Sequence, residues 1–206
     1  MARDSRQAVL DRLRSRIVDE VELPSLYGDD TISAVAIGFD DPPRQFSDTV
    51  EAVGGMCVQV GNLGEVRAHL EADELFANAS NRCSLVGPEI PGNVQLEEIE
   101  DAHQLANLDY VVARAEFGVA ENGAMWITDR EIRHRASLFI TQHLAMVVWR
   151  GAILSNMHQA YERIASPGTP FGLFVAGPSK TADIEQSLVL GAHGCRTLTV
   201  FVVDEL

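Results

Sequence analysis

The chain has 206 residues, 46% apolar and 22% charged, which is the composition of a globular protein able to bury a full core in one main domain and argues against bulk disorder. Its 30 acidic against 16 basic residues leave a formal charge of −14, a field that repels nucleic acid and anionic membrane surfaces, so neither is an expected partner. No apolar run approaches the roughly 20 residues needed to span a bilayer, and the opening MARDSRQAVLDRLRSR is charged and helix-like, which implies a cytoplasmic protein without a signal peptide.

Taken in order, residues 5–20 place Val9, Leu13 and Ile17 at helical spacing, with Leu10 beside them. They predict an amphipathic helix within an N-terminal extension over 1–22, its arginines forming a solvated face. Pro24 and Gly28 break that pattern, and Asp40 to Pro43 lead into a second helix over 44–53, ended by Gly54-Gly55 where a left-handed cap is favoured. Met56 to Val60 reads as a strand, Leu63 to Ala77 as a helix, and Cys83 to Val86 as a short strand before the Pro-Gly loop at 87–92. The acidic run from Glu97 to Asp101 reads as solvated surface.

From Leu105 the apolar density rises. Tyr110 to Ala115, Ala124 to Thr128, Leu138 to Thr141, Leu144 to Trp149 and Ile153-Leu154 are strand candidates, and 155–165 is a helix closed by Ser166-Pro167-Gly168. FGLFV over 171–175 and LTVFVV over 198–203 then bracket a glycine turn, a helix over 181–189 and a second glycine turn. Repeating strand–helix units predict an α/β protein with a mostly parallel sheet, and 105–206 as its strand-rich core half.

The chemistry concentrates near the end of the chain. GPSKT, Gly177 to Thr181, lacks the first glycine of a P-loop and places Pro178-Ser179 before Lys180, so a nucleoside triphosphate site is not expected. Two readings of the segment stand. The N–H groups of the helix over 181–189, the Ser179 and Thr181 hydroxyls and the Lys180 charge can hold a carboxylate or phosphate; or Ser179 or Thr181 merely caps that helix, with Asp183 offsetting its dipole. His193, between Gly191 and Gly194, suits a general acid/base or a strand-edge cap. Glu121, in GVAENGA, is a candidate acid/base or a solvated loop carboxylate, and His143, opening LAMVVW, is a candidate catalytic group or an ordinary edge histidine. Together Glu121, His143 and His193 would make an acid/base cluster or two imidazoles and a carboxylate for a metal, but Cys57, Cys83 and Cys195 are too scattered for a zinc or iron–sulfur motif, and no metal is expected in this chain. Glu121, Ser179, Thr181, Asp183 and His193 are expected to line one cleft at the C-terminal edge of the sheet.

GVAENGA, GPSKTADIE and GAHGCR resemble the A-E-T-G-T, G-P-S-R-T-A-D-I-E and G-V-H-G-P-R segments of the LutC/YkgG lactate-utilisation family, the LUD domain. The likeness covers about 105–206 and takes in His143 at the family's P-x-H step. Departures are Asn122 and Ala124 for threonines, Gln142 for proline, Lys180 for arginine and Cys195 for proline; lysine keeps the charge but loses the planar bidentate fork. The resemblance implies a single LUD-type domain over 1–206 with a three-layer α/β fold similar to the ribose-phosphate isomerase and CoA-transferase group, behind an N-terminal helical extension. It also implies a part in a three-protein L-lactate oxidation system whose iron–sulfur clusters sit on the partner proteins, with no cofactor in this chain. Glu121, His143 and His193 are then the catalytic candidates, and Gly177, Ser179, Lys180, Thr181, Asp183 and Arg196 the holders of a small carboxylate or phosphate. A stand-alone enzyme acting on a small carboxylate, sugar phosphate or acyl-CoA is the alternative.

Overall fold

The computed structural model describes residues 5–15, 36–130, 132–165, 171–182 and 188–205. It divides into two units, Met1–Ala36 and Ile37–Leu206. Of the first, helix α1 (Ser5–Arg14) is described; Val9 and Leu13 of the expected apolar stripe are each 60% exposed, and Ile17 lies outside the described residues.

In the second unit, Asp41 caps helix α2 (Pro42–Ala52) by accepting the Arg44 N–H, and Pro42-Pro43 fill the first positions, where no N–H is needed. Gly54 ends the helix with φ of 88°, the left-handed turn its sequence predicts. Strand β1 (Met56–Val60) follows, then α3 (Leu63–Ala72) and α4 (Glu74–Asn78). The single helix expected over 63–77 is two, because Asp73 turns to extended backbone and its carboxylate caps the second by accepting the Leu75 N–H. Strands β2 (Arg82–Ser84), β3 (Tyr110–Arg114), β4 (Phe117–Val119) and β5 (Ala124–Thr128) come next. After α5 (Ser137–Ile140) come β6 (His143–Trp149), β7 (Ile153–Leu154), α6 (Met157–Ile164), β8 (Gly172–Val175), β9 (Lys180–Ala182), β10 (Leu188–Leu190) and β11 (Thr197–Val203).

Two expectations are corrected here. Leu138 to Thr141, predicted as a strand, is the short helix α5, with Thr141 buried and its hydroxyl donating to the carbonyls of Asp109 and His143. The helix predicted over 181–189 is absent from its described parts: β9 and β10 pair as an antiparallel ladder, Thr181 opposite Val189. A run of four residues is too short to carry a period that separates helix from strand, and the helix leaves Phe139 and Ile140 exposed while burying Leu138 and Thr141; after GPSK a helix-like opening was outweighed by pairing with the apolar LVL segment.

The main sheet runs β1-β11-β6-β3-β2, every neighbouring pair parallel. Its central strands are mostly apolar because both faces are covered. On one face Ala145, Val147, Tyr110, Phe201 and Val203 pack against Val66, Leu70 and Phe76 of α3 and α4. On the other Leu144, Met146, Val148, Val111, Leu198 and Val200 meet Phe46 and Val50 of α2 and Met125 and Ile127 of a second sheet, β7-β4-β5-β8. Helices, main sheet, and α2 with the second sheet thus make three layers of an α/β fold. On the outer side of the second sheet Phe117, Val119 and Trp126 cover Ala160 of α6. Burying each large side chain of this kind stabilises the fold by about 1.5–3 kcal/mol.

Candidate functional site

The two most distinctive loops of the sequence are stitched together by their backbones. Ser179 N–H donates to the Cys195 carbonyl at 2.9 Å, and Gly191 N–H donates to the Ser179 carbonyl at 3.1 Å. Gly191 has φ of 77°, a conformation that side chains rarely adopt, and a Cβ there would run into Arg196. Gly194 allows the closest approach, since a Cβ on it would stand 3.1 Å from Ser179 Cβ. The GPSK and GAHGC turns are therefore one structural piece. Its footing is α2, where Lys180 Nζ donates to the carbonyl of Val53, the last carbonyl of that helix, at 2.7 Å. A cation at this end also offsets the negative pole of the helix.

Against this piece opens a cavity of about 700 Å³. Gly177, Ser179, Lys180, His193 and Cys195 supply its polar side, and Leu138, Phe139, Leu144, Leu173 and Val175 its apolar wall. No acidic residue lines it among the described residues, in a chain of net charge −14. His193 is exposed at its rim, while Cys195 is buried, with burial pushing its thiol above the usual cysteine range. The cavity suits a ligand with an apolar body and a polar or anionic end.

Its position differs from expectation. Leu144 lies at the start of β6, Cys195 just before β11 and Val53 just before β1, so the cavity faces the N-terminal edge of the parallel strands and not the C-terminal edge. The convergence is also partial: Gly177, Ser179, Lys180 and His193 share the cavity, while Glu121 and His143 lie elsewhere. Glu121 caps a helix, its Oε2 accepting the Met157 N–H at the start of α6 at 2.9 Å, while its own N–H donates to the Ser155 carbonyl. His143 opens β6 and shares a 2.9 Å hydrogen bond between its Nδ1 and the Thr197 hydroxyl. It lines a separate cavity of about 350 Å³ with Ser80, Asp109 and Gln142. Burial holds its pKa below the usual histidine value, with Asp73 opposing that shift and Arg196 reinforcing it. Arg196 is exposed, its N–H donating to the Gln142 carbonyl. Thr181 is described only in its backbone, on β9, and Asp183 lies outside the described residues. Glu121, His143 and His193 thus form no single cluster in this structure.

A second polar region, not foreseen from the sequence, lies at the opposite edge. Arg114, Glu116, Thr128 and Arg130 line a cavity of about 290 Å³ beyond the ends of β2 and β3. The faint signal for it was a charged pair flanking Ala115 at the end of an apolar strand. No helix among the described residues is long and apolar enough to cross a membrane.

Relatives place these features in context. The lactate utilization protein C of Geobacillus kaustophilus is 32% identical over 111 residues, 51% of this chain and 45% of that protein. Its namesake from Oceanobacillus iheyensis is 26% identical over 151 residues, 65% of each chain. The chain spans about half the length of the curated relatives it matches. A crystal structure of a DUF162 family protein from Deinococcus radiodurans superposes with a TM-score of 0.63 at 20% identity, covering 81% of this chain and 99% of that one, a likeness of fold. The family model described as the LUD domain matches residues 7–203, nearly the whole chain including both stitched loops, and the chain belongs to that family.

Proposed function

We propose that this protein serves in L-lactate utilisation, as a cytoplasmic component acting with partner proteins that carry iron–sulfur clusters. The observation that carries the reading is the likeness to several proteins named lactate utilization protein C, within a family match spanning residues 7–203. The cysteines support the division of labour. Cys57 on β1, Cys83 on β2 and Cys195 before β11 sit on separate elements, and burial raises all three thiols, that of Cys83 to about 11, away from the thiolate that a cluster needs. The cavity beside Ser179, Lys180 and His193 is the small-anion site of this reading, supported by the absence of acidic residues from its described lining. A stand-alone enzyme acting on a small carboxylate, sugar phosphate or acyl-CoA is favoured by one feature, the exposed His193 at the rim of a ligand-sized cavity.

The test is complementation of a strain lacking its own lactate-oxidation proteins, with this gene supplied alone and together with genes for iron–sulfur partner proteins. Growth on lactate that requires this gene together with the partners, and co-purification with them, is the expected result. Growth on lactate that persists when this gene is omitted overturns the reading, and turnover of a small acid by the isolated chain replaces it with the enzymatic one.

A further inference from the structure

The cavity beside the stitched loops is polar on one side only, and part of its apolar side is open to water. Phe139 of α5 is 47% exposed, and Leu173 and Val175 of β8, an edge strand of the second sheet, are only partly buried. All three line this cavity, together with buried Leu138 and Leu144. Apolar surface gathered in a concave site of this kind marks a ligand groove. The donors come from the two loops. Among the described residues, the His193 and Gly194 N–H groups meet no backbone carbonyl, and the Lys180 ammonium gives one of its three N–H groups to Val53 and keeps two. The exposed His193 ring adds another donor, and successive N–H groups at a glycine turn form a concave anion site. Size separates an acid that meets only the donors from one that also meets the wall. At roughly 30 Å³ for each non-hydrogen atom, the share of a water molecule in the liquid, a six-atom acid fills about 180 Å³. That leaves most of the cavity of about 700 Å³ to water against the apolar wall.

We infer that this cavity binds a medium-chain aliphatic monocarboxylate, of about eight to twelve carbons at that atomic volume. The carboxylate lies against the His193–Gly194 turn and Lys180, where the donors are charge-assisted and no acidic side chain of the described lining opposes it. The chain lies along Phe139, Leu173 and Val175 and removes their exposed surface from water. The inference rests on the anion-site part of the proposed function and goes beyond it by fixing the body of the ligand; it uses neither lactate nor the partner proteins.

The experiment is titration of the full chain by isothermal calorimetry and by amide NMR, with acetate, butyrate, hexanoate, octanoate and decanoate as probes and octanol and octylamine as head-group controls, at fixed ionic strength. Affinity is expected to rise roughly two- to fourfold with each added methylene, as burial of apolar surface dictates. Octanoate should bind more tightly than octanol or octylamine, and should shift amides both at 177–180 and 193–195 and at 138–139 and 173–175. H193A is expected to weaken octanoate roughly tenfold, the loss of one hydrogen bond to a charged group, and to leave octanol unchanged. F139D should abolish octanoate binding, and F139A should weaken it while sparing acetate. Melts of these variants should match the parent, because both side chains are exposed. Equal affinity from acetate to decanoate overturns the inference and leaves an anion site standing. Octanol or octylamine binding as tightly as octanoate, shifts that avoid residues 138–139 and 173–175, or octanoate binding that F139A and F139D leave unchanged overturns it as well. No binding of any acid removes both the inference and the anion site.

Discussion

Glu121 illustrates how a residue that looks catalytic can be architectural. Its carboxylate accepts the first N–H of α6, from Met157, where a negative charge offsets the positive pole of the helix. Glu121→Ala is therefore expected to lower stability by about 1 kcal/mol, and Glu121→Gln, which keeps the acceptor, by less; chemical denaturation of the two variants measures the difference. Lys180 is similar, since the group expected to grip an anion already spends a donor on the Val53 carbonyl. His143 has a different signature. Because burial holds its folded pKa below the ordinary value of 6.5, the unfolded chain binds more protons than the folded one in the interval between the two. Its contribution is complete above about pH 6.5 and is lost as the pH falls from there towards the folded value. Melts from pH 7.5 down to 5 should show a fall in stability that is shallower in His143→Gln; an equal slope in both removes this account.

At the scale of elements, legibility followed the strength of local signals. Met56–Val60 and Ala124–Thr128 were readable because β-forming runs sit between glycine or asparagine turns, and α2 because an aspartate, two prolines and a glycine pair mark its ends. The segment over 138–141 is a helix where a strand is expected, since so short a run carries no period, and in the described parts of 181–189 strand pairing overrides the helical expectation. Glycine turns pointed to the stitched loops, but not to the edge they occupy, because strand direction and order come only from pairing. Arg114 and Glu116 were overlooked since isolated charges at strand ends carry no spacing pattern. The stitched turns make one prediction of their own. Gly191→Ala places a side chain at φ of 77° and against Arg196, so it should destabilise by about 1–2 kcal/mol or more. The loss should appear as a lower melting temperature together with faster proteolysis at residues 177–196.

For the whole molecule, the two faces of the main sheet share their load unequally. One face is covered by α2 and an entire second sheet over Leu144, Met146 and Val148; the other is covered by α3, α4 and Ile90 of the loop after β2. Met146 is fully buried at the centre of the larger core, so Met146→Ala is expected to cost about 2–5 kcal/mol, read as a fall in the denaturation midpoint. The same change on exposed Met56 should cost far less.

The order β1-β11-β6-β3-β2 also has a consequence for how the protein is made. β11, the latest of these strands to leave the ribosome, fills the gap between β1 and β6. Until it arrives, the nascent chain presents two unpaired apolar edges, the kind of surface that recruits other chains and calls for a chaperone. Loss of the residues from Thr197 onward should therefore yield insoluble material and not a weakened monomer, which fractionation of a truncated product would reveal. In a sheet of this connectivity, the last of its strands to be translated decides whether the earlier ones were made to any purpose.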